Sequence, residues 1–503
     1  MSVGNSVKER AALLRELHSK CEELWRTKLI RTAPETPFNA LWDEHIEIRK
    51  KLREISSLQE KLAAKKYRNA NRQDSLNEFL QWCDRMQIKS HGVTVKYIKD
   101  IGFEIETTEP VRKGVDIVSV PRNALFSWDQ ARKSVLLKKC FERDIIVRTM
   151  DNVALALMLC CQRLLPDSYW HPYFNVLPDS FDTPLYFSED ELQALRPSTV
   201  FEDSLLLFRN VARQFLHFLL ETFCVLPYRN AKKKQQVQMQ EPALLNSPLT
   251  PENFTFDLYR WSVACVSTRV NMIPSQDLKD RNGHPVMVPC LIPLLDMANH
   301  ELDSNKSPPS VYFSVENNCA RITAVRNYES FQPVRIYYGK RSSADFLLHN
   351  GFVPEYEDPG DTYKLKIGFS KNSGFYDARM KLMRDYGYTT ESNVFYFLVS
   401  SIEPCVSDSL LYFARVFVIS EPSEECRDQL EDKSVLAKAW DFLRKRFELV
   451  IISYGNLEKH STKGERNSTI LRLKRNEVQI LERALRYCIC QIQKLEPKTV
   501  EEG

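Results

Sequence analysis

Three polar side chains follow directly on an apolar run in the middle of the chain. Residues 291–295 read LIPLL, and the segment then ends in Asp296, Asn299 and His300. The apolar run predicts a buried strand, and a folded chain must hydrogen-bond or expose the acid, the amide and the imidazole that follow it. This pattern predicts a binding site at the end of the strand.

Two neighbouring stretches carry residues of the same kind. Arg269 and Asn271 lie before the apolar run and are separated from it by a polar loop. After it, a short apolar strand ends in Tyr338 and Gly339, and a helix-like segment leads on to Phe352. Because each stretch places polar or aromatic groups at the end of an apolar element, we interpret them as parts of one site.

The sequence lacks the motifs of zinc sites, phosphate-binding loops and serine hydrolases. Cys160, Cys161, Cys488 and Cys490 lie in apolar helical patterns without CxxC spacing or histidine partners, which favours buried structural thiols over a zinc site. Neither a GxGxxG loop nor a P-loop is present, and there is no GxSxG elbow, so phosphate-cradling loops and serine hydrolase chemistry are not predicted. We expect no metal.

Length and composition predict an ordinary intracellular protein. The chain has 503 residues, of which 43% are hydrophobic and 27% are charged, and its net charge is +4. So small a charge does not indicate a nucleic-acid surface, and the apolar runs fall short of the roughly 18 residues of a membrane span. Thirteen scattered cysteines and a polar N-terminus predict a cytoplasmic location, with a nuclear share left open. We expect a monomer.

The elements that must position the site change in type along the chain. Amphipathic helices are predicted in residues 1–91, period-two strands from Val93, helices over about 130–260, and strands again up to residue 340. Apolar stripes at helical spacing then predict an all-helical region over 355–495. The basic tract Lys65, Lys66, Arg68 and Arg72 is interpreted as a solvated face, with Arg72 kept open as an individual residue. These patterns predict an α+β fold.

Several motifs together resemble the SET-domain protein methyltransferases. They are WHPY at 170–173, DTPLY at 182–186, TRVN at 268–271, LIPLLDMANH at 291–300 and YGKRS at 338–342. The resemblance covers nearly the whole chain and is greatest in the subgroup that contains Rubisco lysine methyltransferase, among its actin-histidine methyltransferases. It implies a SET β-fold with a helical insertion over 92–340, N-terminal helices before it, and an all-α substrate-binding domain of the Rubisco-methyltransferase type after it.

The resemblance also implies a cofactor, a substrate and roles for individual residues. The cofactor is S-adenosyl-L-methionine, and the protein substrate is actin. Tyr338 and Asn271 are the catalytic residues that the resemblance implies. The residues that match the family's cofactor contacts are Arg72, Phe103, Arg269, Asp296, Asn299, His300, Asn350 and Phe352, and those on the substrate side are Ile273, Ile292, Leu295 and Arg341.

General chemistry agrees with these assignments. Arginines suit the carboxylate of the methionine moiety, Phe352 can lie against adenine, and Asn299 with His300 offers both donors and acceptors. Two departures from the family concern the pocket: Ile101 stands where the histidine enzymes have glutamate, and Leu295 stands where they have tryptophan. Among the cofactor contacts, Asn350 stands where a serine is usual.

Three functions follow as hypotheses. The preferred one is histidine methylation of actin, the second is lysine methylation on the same fold, and the third is a catalytically silent SET module that only binds a partner. Retention of Tyr338, Asn299 and His300 together argues against the silent module.

Overall fold

The computed structural model describes residues 2–31, 40–62, 71–99, 101–301, 311–355, 360–388, 393–423, 427–457 and 464–495. The chain divides into two compact units: unit 1 comprises Met1–Phe181 and Leu205–Gly339, and unit 2 comprises Asp182–Ser204 and Lys340–Gly503. Among the described helices, none is long and apolar enough to cross a membrane.

The chain begins with helices, as the sequence predicts. Leu17, Cys21 and Leu24 on one face of the first helix are buried, as are Ile48 and Leu52 on the second, and this three-to-four spacing is that of a helix packed along one stripe. The first two helices pack against each other. The helices of this region are α1 (Ser2–Leu24), α2 (Leu41–Leu62) and α3 (Leu76–Arg85).

Short strands follow, in the region where the period changes to two. In β2 and β3 the residues pair in antiparallel register from Val93 opposite Thr107 to Ile98 opposite Gly102. The strands are β1 (Lys89–Ser90), β2 (Val93–Ile98), β3 (Gly102–Thr107), β4 (Asp116–Pro121) and β5 (Phe126–Ser127).

Helices make up most of the segment between the two groups of strands. Residues 153–161, in α7, are all buried, which explains their nearly uninterrupted apolar sequence, and α12 packs against this helix. The helices are α4 (Trp128–Lys133), α5 (Lys138–Arg143), α6 (Ile145–Thr149), α7 (Asp151–Leu164), α8 (His171–Phe174), α9 (Glu189–Ala194), α10 (Val200–Asn230), α11 (Lys233–Gln236) and α12 (Phe256–Arg269).

The second group of strands completes three small antiparallel sheets. Their strand orders are β1-β4-β9-β8, β10-β3-β2 and β5-β7-β6, so strands from both sides of the helical segment share each sheet. Among these strands, β8 and β9 form an antiparallel hairpin, with Val311 opposite Ile322 and Phe313 opposite Ala320. The strands are β6 (Asn271–Lys279), β7 (Pro285–Leu291), β8 (Val311–Ser314), β9 (Cys319–Thr323) and β10 (Pro333–Val334).

The C-terminal region of unit 2 is mainly helical but differs from the predicted all-helical segment by one pair of strands. Leu365 in β11 lies opposite Phe397 in β12, and alternate residues of both strands are buried. The three-residue spacing of Val394 and Phe397 fits a helix, whereas the alternation of buried residues shows that period two prevails. The elements are α13 (Ser343–Asp345), β11 (Thr362–Gly368), α14 (Tyr376–Asp385), β12 (Val394–Ser400), α15 (Asp408–Val418), α16 (Arg427–Leu430), α17 (Lys433–Tyr454) and α18 (Glu465–Leu495).

Candidate active site

A tight turn leads from the end of β7 into the acidic end of the motif. Leu294 adopts φ 69° and ψ −49°, a sparsely populated backbone conformation with positive φ that costs a leucine about 1–3 kcal/mol and persists where the surrounding structure holds it. A 3-10 helix, Leu295–Met297, starts directly after it. Only the first residue of the apolar run 291–295 lies in a strand, so the sequence prediction of a strand over the whole run is wrong, because the chain turns at Leu294. The turn places Asp296 five residues after the buried end of β7.

Asp296 faces Arg269, the last residue of α12. Nε of Arg269 lies 3.8 Å from Oδ2 of Asp296, whose side chain is 3% exposed, and Nη1 of Arg269 donates to Oγ1 of Thr268 at 2.6 Å. Burial raises the pKa of Asp296 to about 6, against the opposing effects of Arg269 and of a hydrogen bond from Tyr173. At neutral pH the pair is a buried carboxylate beside a cation.

Asn271 opens β6, two residues after Arg269. Its amide nitrogen donates to the backbone carbonyl of Arg269 at 3.1 Å. Because a carbonyl only accepts, the nitrogen must face it, and the amide oxygen is then the end available to accept a hydrogen bond from a substrate N–H. The structure thus selects the orientation of the catalytic candidate.

Tyr338 contacts the Asp296–His300 segment twice. Its hydroxyl donates to the carbonyl of Ala298 at 2.9 Å, and its backbone N–H donates to Nδ1 of His300 at 3.3 Å. The two rings lie 5.2 Å apart. These contacts bring together the two stretches that the sequence suggested as one site.

Asn299 joins this segment to the start of β3. Its Nδ2 lies 3.4 Å from the carbonyl oxygen of Phe103 and 3.4 Å from Oε2 of Glu104. The neighbouring backbone is held as well, since the N–H of Ile336 donates to the carbonyl of Asn299 at 2.8 Å.

Arg72 is not part of a solvated face. Its Nε donates to the carbonyl of Val176 at 3.0 Å, and its Cζ lies 5.2 Å from the ring of Phe103. Gly102 has φ 97°, in the left-handed region that favours glycine, and a Cβ there would lie 3.6 Å from both Nη atoms of Arg72. The rest of the basic tract, Lys65, Lys66 and Arg68, lies outside the described residues.

The apolar residues assigned to the substrate side are buried. Ile273 and Ile292 are each 1% exposed and Leu295 is 0% exposed. Ile101, the other departure from the family, is 59% exposed. The contact of the three buried residues with a substrate stays a prediction.

Three predicted site residues lie in unit 2. Nη1 of Arg341 donates to Oδ1 of Asn350 at 2.5 Å, Asn350 ends the π-helix Phe346–Asn350, and the rings of Phe346 and Phe352 lie 5.0 Å apart. Their roles toward cofactor and substrate stay predictions.

The charges of unit 1 fit a small zwitterionic ligand. Burial lowers the pKa of Arg72, and repulsion from Arg269 lowers it further, so two guanidinium groups are held close enough to oppose each other. A ligand carboxylate would relieve that repulsion, while Asp296 suits a nearby positive charge. Among the described residues, no group of three or more His, Cys, Asp or Glu side chains is placed to hold a metal ion.

Two contacts of the site escape sequence reasoning. Tyr173 donates to Oδ2 of Asp296 at 2.5 Å, and Glu104 lies beside Asn299. Tyr173 belongs to a motif that the sequence singled out, but no spacing signal joins two residues 123 positions apart.

Comparison with known proteins bears on the family and the fold of the chain. No family model matches the chain. The actin-histidine N-methyltransferase of Gallus gallus is 30% identical over 96% of this chain and 78% of that protein, and the one of Xenopus tropicalis is 30% identical over 99% and 82%. The human protein of the same name is 28% identical over 96% and 77%.

Solved structures establish the fold. The SET domain of LSMT bound to lysine and AdoHcy has a TM-score of 0.64 at 18% identity, over 84% of this chain and 93% of that one. Rubisco LSMT bound to AdoMet has a TM-score of 0.62 at 17% identity with the same coverage. The predicted SET-domain α+β fold is thereby confirmed, and the sequence identity over nearly the full chain shows that this protein belongs to the actin-histidine N-methyltransferase family.

Proposed function

We propose that the protein transfers a methyl group from S-adenosyl-L-methionine to an imidazole nitrogen of a histidine in actin. Family membership supports the reaction type. The observation that carries the choice of acceptor is the orientation of Asn271, whose amide nitrogen is committed to the carbonyl of Arg269.

An amide oxygen in this place suits an imidazole. A neutral imidazole has one N–H and one lone pair. If the oxygen of Asn271 accepts the N–H, the other ring nitrogen must carry the lone pair, so Asn271 selects the reactive tautomer and aims it. Burying that N–H without an acceptor would cost about 1–3 kcal/mol.

The remaining residues of unit 1 bind and orient. When bound, S-adenosyl-L-methionine supplies a sulfonium methyl group that an aligned nitrogen lone pair can attack in line. Arg72 and Arg269 suit its carboxylate. Tyr338 directs its proton to Ala298, and its phenolic oxygen would then turn its lone pairs toward an electron-poor methyl group.

Unit 2 carries residues that the family resemblance assigns to the cofactor and to the protein substrate. Phe352 and Asn350 are assigned to the cofactor and Arg341 to the substrate by resemblance to the family, and the C-terminal helical region is assigned to holding actin.

Lysine methylation is the alternative that one observation favours. Leu295 is buried where the family has tryptophan, so the wall offers apolar area but no ring to stack on an imidazole. An apolar wall suits the alkyl stem of lysine, which must be desolvated as its amine becomes neutral. Asn271 therefore favours a histidine acceptor, and Leu295 favours a lysine acceptor.

Mass spectrometry of the methylated residue tests the proposal. The protein is incubated with S-adenosylmethionine and either intact actin, histidine-containing actin peptides, or the same peptides with histidine replaced by lysine. We expect methyl transfer to histidine and not to the lysine peptides. Preference for the lysine peptides would show that Leu295 outweighs Asn271, and cofactor binding without transfer to any of these substrates would contradict the actin assignment.

The pH dependence supplies an independent criterion. A histidine acceptor has a reference pKa of about 6.5, so the single-turnover rate at saturating cofactor should fall below that region and stay level from about pH 7.5 to 9. A lysine acceptor, with a reference pKa of about 10.4, would keep gaining rate over that range. A rate that still climbs tenfold per pH unit at pH 9 contradicts histidine methylation.

A further inference from the structure

Tyr173 is a buried tyrosine whose hydroxyl points at the charged part of the site. The residue is 0% exposed and is surrounded by other rings, with centroid distances of 6.1 Å to Phe79, 6.4 Å to Trp82 and 5.9 Å to Phe174. A phenylalanine side chain would pack equally well among these rings. Packing alone therefore does not explain the hydroxyl group. A buried phenol needs a hydrogen-bond partner.

Its partner is the carboxylate that faces Arg269. The hydroxyl donates to Oδ2 of Asp296 at 2.5 Å, and the same oxygen lies 3.8 Å from Nε of Arg269. With Nε facing Asp296 and Nη1 donating to Thr268, the guanidinium is oriented so that the donors of Nη2 are left for a ligand. A hydrogen bond and an ion pair to one carboxylate oxygen thus link the phenol, the acid and the arginine.

We propose that Tyr173 is a positioning residue for cofactor binding, which holds the Asp296 carboxylate against Arg269 and thereby fixes the guanidinium for the ligand. The proposal rests on the proposed function, because it takes Asp296 and Arg269 to bind S-adenosylmethionine. Tyr173 does not touch the reacting atoms and acts only through Asp296.

The hydrogen bond also favours the charged form of Asp296. Burial raises the pKa of this carboxyl, and the bond from Tyr173 and the charge of Arg269 act against that rise. Loss of the hydroxyl therefore moves the pKa of Asp296 upward, toward neutral pH. Three thiols also face Asp296, and burial raises the pKa of each, so they stay neutral at physiological pH: Cys83, Cys265 and Cys290.

The test compares Tyr173→Phe with Tyr169→Phe. Tyr169 lies in the same segment but is 54% exposed, so its substitution controls for loss of a phenol near the site. The dissociation constant of S-adenosylmethionine is measured by calorimetry from pH 5 to 9. We expect Tyr173→Phe to weaken binding about fivefold to a hundredfold at pH 7, with affinity that continues to rise toward pH 9. For the wild type and Tyr169→Phe, the affinity for S-adenosylmethionine should stay constant above about pH 7.

The second measurement needs no ligand. The raised pKa of Asp296 means that its contribution to stability is fully present below pH 4 and is lost as the pH rises through about 6. In Tyr173→Phe this loss should extend to higher pH, whereas Asp296→Asn, which cannot ionise, should remove it. Asp296→Asn keeps the test available if Tyr173→Phe does not fold.

The outcomes separate the two proposals. A wild type that shows no heat with S-adenosylmethionine overturns the proposed function and the role of Tyr173 together. A wild type that binds the cofactor, with the same pH profile in Tyr173→Phe as in Tyr169→Phe, overturns the role of Tyr173 alone. If Tyr173→Phe does not fold, a pH dependence of stability that Asp296→Asn leaves unchanged overturns it as well.

Discussion

Replacing Asn271 by alanine should reduce histidine methylation markedly while the protein stays folded. The substitution removes one hydrogen bond to the carbonyl of Arg269, which is worth about 1 kcal/mol of folding free energy. It also leaves the N–H of a bound imidazole without its acceptor, at a cost of about 1–3 kcal/mol. Each 1.4 kcal/mol of lost stabilisation lowers kcat/KM tenfold. For the histidine peptide, kcat/KM should therefore fall about 5- to 150-fold.

The assay mixes histidine and lysine versions of one actin peptide and follows both products by mass spectrometry. Met272→Leu is the matched control, because Met272 is the next residue of β6 and is 52% exposed, so kcat/KM should stay near that of the wild type. Asn271→Phe should go further and shift the preference toward lysine, since it adds an apolar wall. If Asn271→Ala keeps kcat/KM within twofold of wild type, the amide does not bind the imidazole and the reasoning is refuted.

Three further predictions concern turnover, cofactor affinity and stability. Tyr338→Phe should lower turnover much more than cofactor affinity, because the ring stays while the hydroxyl aimed at the reacting centre is lost; equal losses in kcat and Kd would contradict this. Arg72→Ala should raise the dissociation constant for S-adenosylmethionine about tenfold or more, and unchanged calorimetric binding would return Arg72 to a structural role. Burial raises the pKa of Glu477 to about 7, so the free energy of unfolding should fall from pH 5 to 8, by on the order of 3 kcal/mol. Glu477→Gln should remove that fall and the exposed Glu482→Gln should not, and identical denaturation profiles for both would refute the assignment.

Local patterns predicted most of the elements and pointed to several of the candidate site residues. The burial of α7 follows from its nearly uninterrupted apolar sequence, and the hairpin of β8 and β9 follows from the alternation of apolar residues, because burial imposes both patterns on the sequence. The abrupt change from LIPLL to polar groups marked Asp296, Asn299 and His300 before any contact was known. The strand pair β11 and β12 shows where this reasoning weakens, since aromatic residues three apart also fit a helix.

What only the tertiary structure decided is the pairing of residues far apart in the chain. Arg72 reads as one basic residue among several, and its contact with Phe103 and Val176 depends on how helix and strand pack in unit 1. The orientation of the Asn271 amide is set by the last carbonyl of α12, and Tyr173 reaches Asp296 across 123 positions. Sequence fixes side-chain chemistry and local period, but partners at long range are chosen by packing, which has no signature in the spacing of residues.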